Sequence, residues 1–368
     1  MADAVRTYDR SLVQKIRGGE HIEQIDGLPV VMKPIPDDER ANVLDPRVRE
    51  VAARKRAMFE ERSERSGGYS LANERYRPDK KTIDLVAEEI EEKEQLIDVN
   101  GTHKIDVFTY RDRNVAVSSK AYIFLHGGGF TAGNERIYHN QMRYLAQLTG
   151  ALIVFPDYRL APENPFPAAI EDALATIEWV GANSVHLGVD PEKIMLGGDS
   201  AGGSLACACL LKDEKRLVKR AYLLFASCDC SDYREQKLYR WSEDLFPVVK
   251  EDYELAWSRI NRIRSAQVVD SKDSAYIQGK TSLKDPMVSV VYASDEQLSS
   301  FPPVTVAVSE YDFLRPGAEY LARRLYALGK EMRLVKYCGC DHGFLDLFGF
   351  EPQAEEVCMD MADELDKV

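Results

Sequence analysis

Ile194-Met195-Leu196-Gly197-Gly198-Asp199-Ser200-Ala201-Gly202-Gly203 is the stretch on which the rest of the chain is organised. Ile194-Met195-Leu196 is short and apolar and reads as the end of a buried strand. Ser204-Leu205-Ala206-Cys207-Ala208-Cys209-Leu210-Leu211 is small and apolar and reads as a buried helix. Between them stands a serine with the spacing Gly198-x-Ser200-x-Gly202, a strand–turn–helix junction of the kind that presents a nucleophile. A serine at so sharp a turn is forced towards strained backbone angles, so the residues two places either side must lack bulk. The helix starts at the serine, and its free N–H groups point towards the oxygen of a bound acyl group.

Upstream, Ala121 to Leu125 reads as another buried strand, followed directly by His126-Gly127-Gly128-Gly129-Phe130. Three glycines let the backbone approach a ligand closely and leave its N–H groups unencumbered. Acyl transfer needs such donors where negative charge develops on a carbonyl oxygen, and a glycine run of this kind supplies them together with the N–H of the residue after the nucleophile. Gly127, Gly128, Gly129 and Ala201 are therefore the candidate oxyanion donors, with His126, Phe130 and Asp199 as candidate substrate contacts beside them.

A serine hydroxyl needs a base. Of the six histidines only His342 follows Ser200, and the chain order expected for an elbow of this type is serine, acid, histidine. His342 stands just past the last predicted strand, where the C-terminal ends of strands gather a site. The acid that fixes the histidine tautomer is sought among Glu310, Asp312 and Asp341. Asp312 ranks first because it follows the predicted strand Val304 to Val308 by a short loop. Glu310 comes next. Asp341 is adjacent to His342, where two side chains rarely meet in the required geometry.

Composition narrows the partners. The net charge of −13 argues against nucleic acid and anionic membrane surfaces, and no apolar run approaches the roughly 18 residues that span a bilayer. The first residues, Met1-Ala2-Asp3-Ala4-Val5-Arg6, contain no apolar core of a secretory signal. Seven cysteines, an odd number, suit free thiols in a reducing compartment, so a cytoplasmic location is expected. Cys338-Gly339-Cys340-Asp341-His342 has Cys-x-Cys spacing rather than the wider spacing of zinc sites. No metal and no cofactor are expected, and a homo-oligomer is left open.

The chain divides at about residue 92. Residues 1–92 are dense in charge and helical in pattern, with helices predicted over Asp3 to Ile16, Asp45 to Arg65 and Lys81 to Gln95, breaks at Gly67-Gly68 and Arg77-Pro78-Asp79, and no convincing strand. From there on, strands are predicted at Gln95 to Val99 and Lys104 to Tyr110, joined by an Asn100-Gly101 turn, then at 121–125, 152–155, 194–196, 221–226, 304–308 and 333–337, alternating with helices. Leading antiparallel strands followed by this rhythm indicate a mostly parallel sheet covered on both faces. About 75 residues without strand rhythm separate two of the strands. They read as a helical insertion at 229–280, carrying the rings of Tyr233, Tyr239, Trp241, Phe246, Tyr253 and Trp257.

Taken together, His126-Gly127-Gly128-Gly129-Phe130, Asp157-Tyr158-Arg159-Leu160-Ala161-Pro162-Glu163, Gly198-Asp199-Ser200-Ala201-Gly202-Gly203, Asp285-Pro286-Met287-Val288-Ser289, Glu310-Tyr311-Asp312-Phe313-Leu314-Arg315 and Asp341-His342-Gly343-Phe344 resemble the hormone-sensitive-lipase-like (bacterial family IV) esterases of the α/β-hydrolase superfamily. The resemblance runs from about residue 95 to the C-terminus. It implies an α/β-hydrolase fold, a mostly parallel sheet of about eight strands flanked by helices under a helical cap. Residues 93–368 would form the catalytic domain, and 1–92 with 229–280 the cap. It also implies a Ser200–His342–Asp312 triad in a serine carboxylesterase. Short acyl groups, acetyl to hexanoyl, are the expected substrates. The alternatives are a lipase for longer chains and a non-catalytic small-molecule receptor of the same fold. The presence of His342 counts against the receptor, which in that branch lacks the catalytic histidine.

Overall fold

The structure is a computed structural model and describes residues 6–65, 71–76, 81–112, 114, 119–267 and 270–368. Ala121–Leu125 is apolar at every position and buried at every position, as a strand covered on both faces must be. Its alternate side chains feed different layers: Ala121, Ile123 and Leu125 join one hydrophobic core, Tyr122 and Phe124 the other. The first core is closed by the helices Ala168–Ala182, Ala201–Lys212 and Arg315–Ala327, the second by Glu135–Thr149 and Pro352–Leu365.

Ten strands form one sheet: β1 (His21–Ile25), β2 (Leu28–Lys33), β3 (Ile90–Val99), β4 (His103–Asp112), β5 (Ala121–Leu125), β6 (Leu152–Pro156), β7 (Ile194–Asp199), β8 (Val218–Leu224), β9 (Val304–Tyr311) and β10 (Met332–Asp341). Their order is β1-β2-β10-β9-β8-β7-β5-β6-β4-β3. From β2 to β6 along this order every pairing is parallel; β1, β4 and β3 pair antiparallel. The eight predicted strands correspond to β3–β10. The sheet exceeds the expected eight strands because the N-terminal segment, read as strand-free, contributes β1 and β2. Its hairpin turns on Asp26 and Gly27, both at positive φ (52° and 78°), an Asp-Gly turn signal that was there to be read.

A second difference concerns Lys81 to Gln95. No helix forms there. Residues from Ile90 pair with β4 over ten positions, and this long ladder prevails over the helical spacing of apolar residues read there. Glu91, Glu92, Lys93 and Glu94 lie on an edge strand, where charge discourages further pairing. The predicted helix at Asp45 to Arg65 is Pro46–Arg65, and the first helix is Ser11–Gly18. The breaks at Gly67-Gly68 and Arg77-Pro78-Asp79 and the first residues of the Asp3 to Ile16 helix lie outside the described residues.

The insertion between β8 and β9 holds the helix Tyr253–Gln267 and several short turns. That helix packs on Pro46–Arg65 through a third cluster, Leu44, Val48, Phe246, Trp257, Ile260 and Ile263, which rests on Tyr311, Phe313 and Leu314 at the end of β9. Most of the insertion's rings belong to this cluster: Phe246 and Trp257 are 5.9 Å apart, Tyr233 and Trp241 4.4 Å.

Strand β2 is tied into the second core by Lys33. Its ammonium is buried between Glu356 and Asp360 of the C-terminal helix, at 2.8 and 3.2 Å. Lys33→Ala is expected to destabilise the protein by about 2–4 kcal/mol, since it removes the buried cation nearest Glu356, which keeps the Tyr337 hydroxyl and the more distant Arg17, while Asp360 keeps Arg333. Urea unfolding followed by circular dichroism would measure it; a change under about 1 kcal/mol would mean that the N-terminal strands are not integral to the core.

Candidate active site

The sheet order itself assembles the site. Ser200 follows β7, Asp312 follows β9 and His342 follows β10, all at the C-terminal ends of parallel strands separated only by β8. β5 lies on the other side of β7, so the loop that begins at His126 falls beside the serine. Ser200 has φ 53° and ψ −118°, a strained pair for a residue with a Cβ. The turn is held by its surroundings: Ser200 N–H donates to the Leu224 carbonyl at 2.9 Å, and Ser227 N–H donates to the Ser200 carbonyl at 3.0 Å. A Cβ on Gly202 would stand 2.0 Å from the Leu125 carbonyl oxygen, and one on Gly198 2.6 Å from the Gly202 and Leu125 carbonyl oxygens. Only glycine lets the helix Ala201–Lys212 rise this close to β5.

Ser200 Oγ lies 2.9 Å from His342 Nε2, and His342 Nδ1 lies 2.7 Å from Asp312 Oδ2. Asp312 is buried, and its other oxygen accepts the Leu314 N–H at 3.0 Å, which fixes the carboxylate's plane. The ring of Phe225 meets the His342 ring edge-on, centroids 5.0 Å apart. The two other candidate acids are engaged elsewhere. Glu310 accepts the Gly339 N–H at 2.8 Å. Asp341 is buried against the Arg259 guanidinium.

The glycine run departs in part from the sequence reading. Gly127 N–H donates to Asp199 Oδ1 at 2.7 Å, so its amide is committed and Gly127 leaves the set of oxyanion donors. Gly128 and Gly129 take φ of 131° and 63°, conformations open to glycine. His126, Phe130 and Asp199, the candidate substrate contacts, are all buried. His126 is fully buried, its ring stacked on Tyr158 at 4.2 Å and its carbonyl accepting the Tyr158 hydroxyl at 2.6 Å. The Asp199 carboxylate takes both Gly127 N–H and the Tyr138 hydroxyl. Phe130 stacks on Tyr276 at 3.8 Å. Each of the three thus has its own packing or hydrogen-bond partners around the glycine run. Cys338 and Cys340 lie on β10 as free thiols, Cys340 buried; burial pushes the Cys338 thiol up to about 12.

The α/β-hydrolase fold family model matches residues 122–346, and the chain belongs to that family, in its hormone-sensitive-lipase-like branch. Among curated proteins it is similar to Carboxylesterase NlhH of Mycobacterium tuberculosis, 29% identical over 293 residues that cover 78% of this chain and 86% of the relative. It is likewise 29% identical to Lipase 2 of a Moraxella species over 65% of this chain, a match that spans only 58% of the relative's length. Among solved structures, a hyperthermophilic esterase from Pyrobaculum calidifontis superimposes with a TM-score of 0.65 at 29% identity, covering 88% of this chain and 98% of the other.

Gly202→Ala is expected to cost at least about 3 kcal/mol or to prevent folding, because backbone rather than a mobile side chain occupies the space. Gly129→Ala meets no atom within 4 Å and should cost only the left-handed backbone, about 1–2 kcal/mol. Thermal unfolding of the two variants side by side checks the contrast.

Proposed function

We propose that Ser200 is the nucleophile, His342 the general base and Asp312 the orienting acid of this carboxylic ester hydrolase. The supporting observation is the unbroken run of short contacts from Ser200 Oγ through His342 to Asp312. The names of NlhH, a carboxylesterase, and of the Pyrobaculum esterase support ester hydrolysis as the reaction. Ser200 Oγ attacks the ester carbonyl carbon while its proton passes to His342 Nε2. The carbonyl oxygen becomes an oxyanion, which the N–H groups of Gly128, Gly129 and Ala201 would receive. The tetrahedral intermediate collapses, and the alcohol leaves with the proton from His342. Water then attacks the acyl-serine, giving its proton to His342, and the acid departs as Ser200 regains its hydrogen.

Ser200→Ala and His342→Ala are each expected to lower kcat by on the order of 10⁶, and Asp312→Asn by roughly 10⁴ through the wrong histidine tautomer. Asp341→Asn should cost much less than Asp312→Asn. An assay with p-nitrophenyl butyrate measures all four. A tenth of the wild-type activity remaining in His342→Ala, or a larger loss at Asp341 than at Asp312, would overturn the assignment.

We read the helices Pro46–Arg65 and Tyr253–Gln267 as the cap and short acyl chains, about two to six carbons, as the preference it imposes. Their shared cluster closes over the end of β9, beside the strand ends that carry Ser200 and His342. Overlap with a closed wall costs more than the roughly 0.8 kcal/mol gained per buried methylene. Rates for p-nitrophenyl esters at equal monomeric concentration are expected to fall beyond hexanoate. A decanoate ester hydrolysed faster than butyrate would favour a lipase.

A further inference from the structure

The helix Tyr253–Gln267 lies far in sequence from Ser200 and His342, yet two of its side chains bond to residues that adjoin them in the chain or hold them by a hydrogen bond. Arg259, itself buried, pairs through Nε with Oδ2 of Asp341, the residue immediately before His342. Gln267 donates from Nε2 to Ser227 Oγ at 3.0 Å, and Ser227 is the residue whose N–H holds the Ser200 carbonyl. The insertion therefore braces both reacting residues, each through one intermediary.

The charges around Asp341 decide what that pairing does. Burial alone would raise its carboxyl. The Arg259 guanidinium, with Lys55 of the helix Pro46–Arg65 and Arg262 of the helix Tyr253–Gln267, holds it below the usual carboxylate range. Two further carboxyls face the same spot, Asp45 and Glu351. Asp45 is tied to Arg47 and to Gln353. Glu351 is fully buried with neither oxygen hydrogen-bonded, and burial, followed by the Asp341 and Asp45 charges, pushes its carboxyl well up. Burial and the neighbouring carboxylates thus oppose ionisation of Glu351, and Asp341, held below the usual carboxylate range, is the anion preceding His342 that must be matched.

We propose that Arg259 is a positioning residue for His342: through Asp341 it fixes the end of β10 that leads into His342, and it cancels the charge of the buried carboxylate on the residue that precedes it. The proposal rests on the triad reading above. During acylation the imidazole gains a proton. An unmatched Asp341 carboxylate would favour the imidazolium and keep the proton on it; an unmatched Arg259 guanidinium would oppose protonation. Paired, the two leave Asp312 as the anion that sets the base.

The test compares Arg259→Met, Asp341→Asn and the double variant in the full chain, with active sites counted by organophosphonate labelling of Ser200. In Arg259→Met the acidic limb of the kcat/KM–pH profile should move up by about one unit; in Asp341→Asn it should move down by about as much, the size set by one unit charge in a partly buried site. The double variant should return to within about 0.3 unit of the wild type, since the coupled changes cancel. Each single variant should lose roughly tenfold in kcat with KM within about twofold, a loss confined to the chemical step. Arg259→Lys keeps the charge and should keep the wild-type limb, and with Asp341→Asn it carries the test should Arg259→Met fold poorly. Limbs that stay in place, or that move in the same direction while only thermal stability falls, would show a structural ion pair and overturn the proposal. A wild-type chain that hydrolyses no ester and takes no label at Ser200 would instead remove the triad reading on which it rests.

Discussion

Everything at the site depends on how closely the helix Ala201–Lys212 approaches β5. The Gly202 Cα stands where any side chain would meet the Leu125 and His126 carbonyl oxygens, 2.0 and 2.5 Å from an added Cβ. Because nothing is there, the helix can begin on the residue after Ser200, and the serine is left at a turn with φ 53°. The same approach sets β5 and its glycine loop beside the serine. Asp199 then fastens that loop by accepting the Gly127 N–H. Serine, helix N-terminus and glycine loop are therefore consequences of one steric allowance rather than three independent features.

The histidine side is built differently, from charge. β10 ends in Asp341, and the groups around it come from parts of the chain remote from one another: Arg259 from the insertion, Lys55 from the helix Pro46–Arg65, Glu351 from the start of the C-terminal helix. Lys33 with Glu356 and Asp360 makes a comparable buried knot at β2. Buried charges of this kind cost desolvation and are tolerated only when matched. Their value here lies in fixing which segments sit against which, so that the N-terminal segment is part of the sheet and of the histidine's surroundings alike.

The Ser200 and Asp312 positions, the sole histidine downstream of the serine and eight of the ten strands were legible in the sequence, because each rests on a local signal. Apolar runs mark strands buried on both faces, and glycines two residues from a serine mark a turn with no room. The choice of Asp312 over Glu310 and Asp341 needed only a strand end and a short loop, and the structure shows Glu310 capping Gly339 and Asp341 bound to Arg259. β1 escaped because four of its five side chains are exposed, so it lacks the alternation that reveals a half-buried strand. The first half of β3 looked helical because Ile90 continues the helical spacing of Ile83, Leu85 and Val86, and the charges of an edge strand carry no period of their own.

What the sequence determined by itself was the order of elements and the chemical types brought to the strand ends: a serine, an acid, a histidine and a glycine loop. Tertiary structure alone decided which amides remain unengaged, since Gly127 is lost to a carboxylate 72 positions away. It also decided that His126 is buried against Tyr158, and that an arginine 82 positions away pairs with Asp341. The physical reason is range. Backbone strain and burial pattern are written within a few residues, whereas hydrogen bonds and ion pairs between distant segments exist only once the sheet order has set those segments side by side.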